Sequence, residues 1–315
     1  MAKYVVTGGA GFIGSNLVEA LLRQGDDVVV LDDFSTGRRE NLSQAPEWAG
    51  AGGGTYRLVE GDMRDADTCR EATAGADFVL HKAAIPSVQR SVQNPVLTNA
   101  VNIEGTLLLL EAAREAGVKR FVFASSSSIY GESETLPKVE TMPSAPISPY
   151  GLQKLAGETY CLLYHGLYGL PTIALRYFNV FGPRQNPESE YAAVIPRFIA
   201  AALEGGRATV YGDGEQTRDF TFVENVVRAN VLACEAGPEA CGRFYNIACG
   251  QRIGLNELLR QIGKIVGREV EVDHVDPRPG DIRHSLAGID AAADRIGYRP
   301  VVDFENGLRR TVEAF

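Results

Sequence analysis

The sequence predicts an α/β fold, a doubly wound parallel sheet followed by a smaller C-terminal α/β lobe. Three observations carry that expectation. Short β-branched runs alternate with longer helical patterns through the first 125 residues, a glycine-rich turn follows the first run directly, and the alternation loosens after residue 175. In order, strands are expected from Tyr4 to Thr7, Val28 to Asp32, Tyr56 to Glu60, Phe78 to His81 and Arg120 to Ala124. Between them, leucines, valines and alanines recur at three- and four-residue spacing, most clearly from Ile13 to Arg23 and from Asn102 to Arg114, which predicts helices. Ala49 to Gly54, glycine- and alanine-rich beside the only tryptophan, Trp48, reads as a surface loop, with a packing role for Trp48 the open alternative. Glycine and proline punctuation from Gly182 to Gly280 places loops over the smaller lobe. The division expected is residues 1–175 for the first body and mainly 176–315 for the second, interleaved because no linker separates them.

Composition removes several classes of function. The 315 residues hold 31 Lys plus Arg against 40 Asp plus Glu, a net charge of −9, which disfavours a nucleic-acid binder. No run of about 18 apolar residues suggests a membrane span, and too few apolar residues follow Lys3 for a secretory leader, so a cytoplasmic protein is expected. Five cysteines without a C-x-x-C and four scattered histidines give no metal or disulfide signature.

The turn after the first strand reads T-G-G-A-G-F-I-G from Thr7 to Gly14. Gly8, Gly11 and Gly14 suit a backbone that must turn tightly and approach a pyrophosphate at a helix N-terminus, with Phe12 and Ile13 between them. Asp32 ends the second strand 18 residues beyond Gly14, where a carboxylate reaches ribose hydroxyls and repels a 2′-phosphate. A Rossmann-type domain binding NAD rather than NADP is therefore expected over residues 1–175.

Ser148 and Pro149 have the character of N-cap and first helical residue, which places Tyr150 in a first turn and Lys154 on the same face. An ammonium about 6 Å from a phenol, at an effective dielectric of about 20, contributes roughly 3 kcal/mol, or about two pKa units. Tyr150 is thus expected to act as a general base near neutrality. Upstream, the serine run Ser125 to Ser128, followed by Ile129, Tyr130 and Gly131, places hydroxyls at the carboxyl end of the sheet.

Together these motifs resemble the extended short-chain dehydrogenase/reductase family over essentially the whole chain. They are joined by Asp62 of G-D-M-R-D, Ala83 and Ala84, Asn102, and the run Arg176 to Asn179. Within that family the chain is most similar to UDP-hexose 4-epimerases, particularly those acting on N-acetylhexosamines, through Asn179 to Gln185, Tyr191 to Phe198 and Gly212 to Phe220. The resemblance implies that Tyr150 removes the proton of the sugar 4-hydroxyl while NAD takes hydride from C4, and that a 4-keto sugar rotates and is reduced on its other face. It implies Ser126 as the hydroxyl that holds the 4-oxygen, Ser128 as a sugar contact, and Lys154 as the partner of Tyr150. For the cofactor it implies Asp33, Ser35, Gly37, Asp62, Met63, Ala83, Ala84, Asn102 and Tyr177 as further contacts. For the UDP-sugar it implies Asn179, Val194, Arg218, Arg278 and Ser285, the two arginines on the diphosphate. It also implies a homodimer built through helices from Glu104 to Glu115 and from Leu152 to Tyr168.

Two comparisons within the family narrow the chemistry. Sugar-nucleotide dehydratases and decarboxylases carry acidic residues one or two positions after the catalytic Ser/Thr, whereas here Ser127 and Ser128 occupy those places. A tyrosine that closes the pocket in glucose-restricted epimerases falls on Ser285, so room for an N-acetyl group is expected. The alternatives are a UDP-glucuronate 4-epimerase, for which Arg184 would supply a cation, and a non-catalytic NAD-binding regulatory module.

Overall fold

A computed structural model describes residues 1–187, 193–276 and 283–315. Its strands are β1 (Lys3–Thr7), β2 (Asp27–Asp32), β3 (Tyr56–Glu60), β4 (Phe78–His81), β5 (Arg120–Ser126), β6 (Thr172–Tyr177), β7 (Val180–Phe181), β8 (Arg207–Tyr211), β9 (Thr217–Arg218), β10 (Thr221–Phe222), β11 (Arg243–Ile247), β12 (Ile253–Gly254) and β13 (Glu271–Val275). Seven of them form one sheet in the order β11-β6-β5-β4-β1-β2-β3, with every neighbouring pair parallel. Strands β1 to β3 step outward in one direction and β4 returns to the other side of β1. A crevice opens beyond the carboxyl ends at such a switch point.

The helices are α1 (Phe12–Arg23), α2 (Ala45–Gly52), α3 (Ala66–Thr73), α4 (Val88–Gln93), α5 (Pro95–Asn99), α6 (Thr106–Glu115), α7 (Pro149–Tyr168), α8 (Val194–Glu204), α9 (Val223–Glu235), α10 (Leu255–Val266), α11 (Asp290–Ile296) and α12 (Phe304–Val312). One apolar cluster joins Leu17, Leu21, Val30, Val226 and Tyr298 on the α1, α9 and α11 face; the other joins Val29, Leu109, Phe121, Phe123 and Cys161 on the α3, α6 and α7 face. Both faces of the parallel sheet are therefore covered, as its continuous Val, Leu and Phe runs require. A third cluster, including Phe198, Phe222, Leu258 and Phe304, forms the core of the second lobe around the parallel pair β8 and β13. Strand β6 runs through residue 175, and β11, α9 and α11 return to the main sheet, so the two bodies share chain.

Three local readings are corrected. Ala49 to Gly52 is the end of α2 and not a surface loop, because Trp48, only 4% exposed, anchors that helix to the core. The helix expected from Asn102 begins as a π turn, Ala100–Gly105, before α6 takes over. The turn is closely packed, since a Cβ on Gly105 would stand 2.6 Å from Met63 Cε. Finally, β5 continues to Ser126, and a 3₁₀ turn, Ser127–Tyr130, carries the rest of the serine run. Helix α7 starts as its sequence predicts, with Ser148 Oγ accepting from Gly151 N–H at 3.1 Å and Pro149 in the first turn.

Candidate active site

The glycine turn has no room for side chains. Gly8 holds φ +66°, and a Cβ there would lie 2.7 Å from Ala83 N; one on Gly14 would lie 2.0 Å from Gly8 O. Gly11 is the N-cap of α1 and offers no side-chain cap, so the first N–H groups of that helix remain available to an anion. A cleft of about 600 Å³ opens over this turn and runs from Asp62 and Met63 past Gly8, Gly11, Phe12, Ile13 and Gly14 to Tyr150, Lys154 and Tyr177. Asp33, Ser35, Gly37, Ala83 and Ala84 also line it. The fit to a dinucleotide is good, since the cradle is bare backbone and the cleft lies within the usual range for small-molecule sites, about 300–1,000 Å³.

Asp32 organises one end of the cleft. Its carboxylate accepts from Ala10 N at 2.8 Å and Phe34 N at 2.9 Å, which leaves acceptor capacity on both oxygens, and burial pushes its pKa up. Arg39 is held by Glu60 and stacks 3.9 Å from the Phe34 ring, while Arg38 lines the cleft. Asp62 is drawn below the usual carboxylate range by the hydrogen bond and charge of Arg64. Asn102 stands apart from the cleft lining: its amide accepts from Ile85 N at 2.8 Å and donates to Ile85 O at 3.1 Å and to Gln153 Oε1 at 2.8 Å. It holds the backbone that follows Ala83 and Ala84.

At the other end, Tyr150, Lys154 and the serine run converge. Ser126 closes β5 near enough to Tyr150 to lower the phenol's pKa, and Ser128 Oγ donates to Ser126 Oγ at 2.9 Å. Lys154 Nζ donates to Ala124 O at 2.9 Å and lies 5.8 Å from the centre of the Tyr150 ring. The expected lowering of the Tyr150 pKa is not met in the cofactor-free chain. Burial pushes the phenol up to about 12, against a smaller lowering by Ser126, while Lys154 is itself driven down to about 8 by burial. A base near neutrality therefore needs more positive charge beside the phenol than Lys154 alone supplies.

The remaining sugar-side residues lie in the second lobe. Asn179, at φ +34°, donates to Asp219 O at 3.1 Å, and its Nδ2 is 3.5 Å from Ser285 Oγ. Arg218 lies beside them on β9, donating to Thr217 O at 3.0 Å and Arg283 O at 3.2 Å. Val194 opens α8 next to Ala193, which lines the cleft. Arg278 and Tyr191 lie outside the described residues. Arg184 lines the cleft, and its Nη2 donates to Asn16 Oδ1 at 2.9 Å and Glu19 Oε2 at 2.6 Å on α1.

Two residues of the site have no role in the sequence reading. Lys82 lines the cleft with its amine donating to Tyr177 Oη at 3.0 Å, and Asp219, fully buried, accepts from Cys249 N, Gly250 N and Ala287 N at 3.0 to 3.1 Å. A lysine closing the apolar run Phe78 to His81 is the one available signal for the first. Asp219 lies inside the quoted motif Gly212 to Phe220, but its partners are remote in sequence.

Comparison with known proteins agrees with this geometry. Residues 4–248 match the NAD dependent epimerase/dehydratase family. The chain is 42% identical to a UDP-glucose 4-epimerase of Mycolicibacterium smegmatis, over 99% of this chain and 98% of the relative. It superposes with a TM-score of 0.93 and 41% identity on a UDP-N-acetylglucosamine 4-epimerase from Methanobrevibacter ruminantium in complex with UDP-N-acetylmuramic acid, covering 100% and 98% of the two chains. A UDP-glucuronic acid 4-epimerase from Bacillus cereus, in complex with UDP-glucuronic acid and NAD, gives a TM-score of 0.89 at 32% identity, covering 99% and 98%.

Proposed function

Because this chain belongs to the NAD dependent epimerase/dehydratase family, whose members are enzymes that use NAD, we propose that it inverts C4 of UDP-hexoses. UDP-GlcNAc and UDP-GalNAc are the preferred pair, with UDP-Glc and UDP-Gal also accepted. The observation that carries the reading is that Tyr150 and Lys154 line the dinucleotide cleft together, with Ser126 at the end of β5 near Tyr150 and serine at 127 and 128. No carboxylic acid stands there to eliminate water, so oxidation and re-reduction at one carbon is the chemistry left to the site.

The dinucleotide, when bound, supplies a two-electron acceptor that takes hydride from C4 and returns it. The chain's own residues manage the proton and the sugar. Tyr150 takes the proton from the 4-hydroxyl as the C4–H electron pair leaves, and gives it back on the return. Ser126, itself held by Ser128, fixes the sugar oxygen against the phenol. Lys154 keeps a positive charge on the phenolate side of the balance. Arg218, and Arg278 by family position, neutralise the diphosphate in a chain of net charge −9.

Ser285 beside Asn179 decides the sugar, since a small side chain there leaves space at the 2-position. UDP-glucuronate is the second reading, since Arg184 lines the cleft, although its Nη2 is shared with Glu19 and Asn16. The chain works as a homodimer through α6 and α7, the exposed Leu163, Leu167 and Tyr168 of α7 providing an apolar face. Its five unpaired cysteines suit a reducing cytoplasm. The test is to incubate purified protein, without added NAD, with each UDP-sugar and to separate the C4 epimers. Interconversion of UDP-GlcNAc and UDP-GalNAc is expected. Conversion of UDP-glucuronate alone, or none at all, contradicts the reading. Ser285→Tyr is expected to abolish N-acetyl turnover selectively, and equal loss on both sugar classes removes the pocket argument.

A further inference from the structure

Tyr150 sits in the first turn of α7, where backbone N–H groups have no partner inside the helix and must find one elsewhere. From Pro149 to Leu152 each of them is accounted for. Pro149 has no N–H, Gly151 N donates to Ser148 Oγ at 3.1 Å, and Leu152 N makes the first internal bond, to Ser148 O at 3.0 Å. Tyr150 N is satisfied from another element: it donates to Ser91 Oγ on α4 at 3.0 Å, across 59 residues of chain.

Ser91 is fully buried, and its hydroxyl proton goes to Val88 O at 2.6 Å. A hydroxyl has one proton and two lone pairs, so Oγ is left as an acceptor toward α7. Three residues beyond Tyr150, buried Gln153 is fixed from the same side of the helix: its Nε2 donates to Thr98 Oγ1 on α5 at 2.9 Å, and its Oε1 accepts from Asn102 Nδ2 at 2.8 Å. The segment that makes these contacts also walls the cleft. Ile85, Pro86, Ser87 and Arg90 line it, and Asn102 holds the Ile85 backbone through both of its amide groups. The start of α7 is thus docked at two points on a wall of the dinucleotide cleft.

We infer that Ser91 is a positioning residue for Tyr150: its hydroxyl fixes the first turn of α7 against the cleft wall, and so fixes where the phenol stands relative to the atoms it serves. Ser91 acts through the tyrosine's backbone and not on the sugar. A side chain in a first turn is placed by that turn, and helix ends are where the backbone frays. Without Ser91 Oγ the Tyr150 N–H loses its acceptor, and the turn gains freedom at the residue where freedom costs rate. A displacement of about 1 Å between reacting groups lowers a rate by about 10². The inference rests on Tyr150 being the base of the proposed C4 inversion, and not on which hexose is preferred.

The test measures kcat per bound NAD on the purified holoenzyme, so that unfolded protein, which holds no dinucleotide, is not counted. Ser91→Ala removes the acceptor in a residue that favours helix. It is expected to keep KM for the UDP-hexose near wild type while kcat per bound NAD falls about 10- to 100-fold. Ser91→Thr keeps a hydroxyl that can serve both Val88 O and Tyr150 N, and is expected to restore most of that loss. Thr98→Val releases Gln153 without touching Ser91, and is expected to lower kcat per bound NAD in the same direction. A wild-type kcat per bound NAD in Ser91→Ala overturns the inference, as does a loss in Ser91→Thr equal to that in Ser91→Ala. Should Ser91→Ala not fold, a wild-type value in Thr98→Val overturns it. Unaltered protein that binds NAD and converts no UDP-hexose overturns the proposed function and this inference together, whereas normal turnover that the variants leave unchanged overturns this inference alone.

Discussion

Tyr150 begins from an unfavourable place for a base. In the cofactor-free chain its phenol is held up at about 12 by burial, and Ser126 only partly offsets this. Positive charge is what separates a buried tyrosine from a catalytic one, and Lys154 and the oxidised dinucleotide are its sources. Tyr150→Phe is expected to keep the fold and the bound NAD while turnover falls by about 10²–10⁴; full activity in that variant removes the proposed base. Lys154→Met raises the phenol further, so the ascending limb of kcat against pH is expected to move to higher pH. The two buried amines also affect stability. Their folded values, about 7 for Lys82 and about 8 for Lys154, lie below the unfolded value of about 10.4. The unfolded chain therefore binds more protons in that window, so their contribution to stability is fully present above about pH 10 and is lost as pH falls through 8 and 7. Lys82→Met is expected to raise Tm near neutrality, with a gain that shrinks toward pH 10. A gain constant with pH assigns the effect to packing.

Among the elements, the turn from β1 to α1 is the least tolerant of change. Gly8→Ala places a Cβ against Ala83 N in a left-handed backbone, and the protein is expected to be purified without NAD and with a lowered Tm. Retained NAD absorbance in that variant contradicts the cradle. Asp219 performs a comparable task for the second lobe, since it ties the segments at Cys249, Gly250 and Ala287, and its own carbonyl holds Asn179. Asp219→Ala is expected to weaken UDP-sugar binding, read by calorimetry, while NAD content stays near wild type. These two sites differ in how far the sequence reveals them. Only glycine suits the β1–α1 turn, and Tyr150 with Lys154 declare themselves by helical spacing behind a capped start. Asp219 gathers partners 30 to 68 residues away, and nothing local marks it. Trp48 misleads for a related reason, because a Gly/Ala run reads as loop until the burial of one large side chain overrides propensity.

At the scale of the molecule, the parallel sheet sets the site by its topology. The carboxyl ends of β1, β4, β5 and β6 bring Gly8, Ala83, Ser126 and Tyr177 to one side although they are spread over 170 residues of chain. This much follows from the alternation of strands and helices. The return of β11 and α9 to the main sheet does not, because it depends on packing against β6 and α1 after the regular pattern has loosened. On the proposed dimer, the exposed apolar face of α7, with Leu167 70% exposed, predicts a dimer mass in light scattering that Leu167→Glu reduces to a monomer; a monomer mass for the unaltered protein, or an unchanged dimer mass in the variant, contradicts that face as the interface. The central claim is that one hydrogen leaves C4 and comes back to it within a single closed site. UDP-GlcNAc labelled with deuterium at C4, turned over in ordinary water, tests it most directly: the account predicts UDP-GalNAc that keeps the label at C4, and loss of that label to solvent would contradict it.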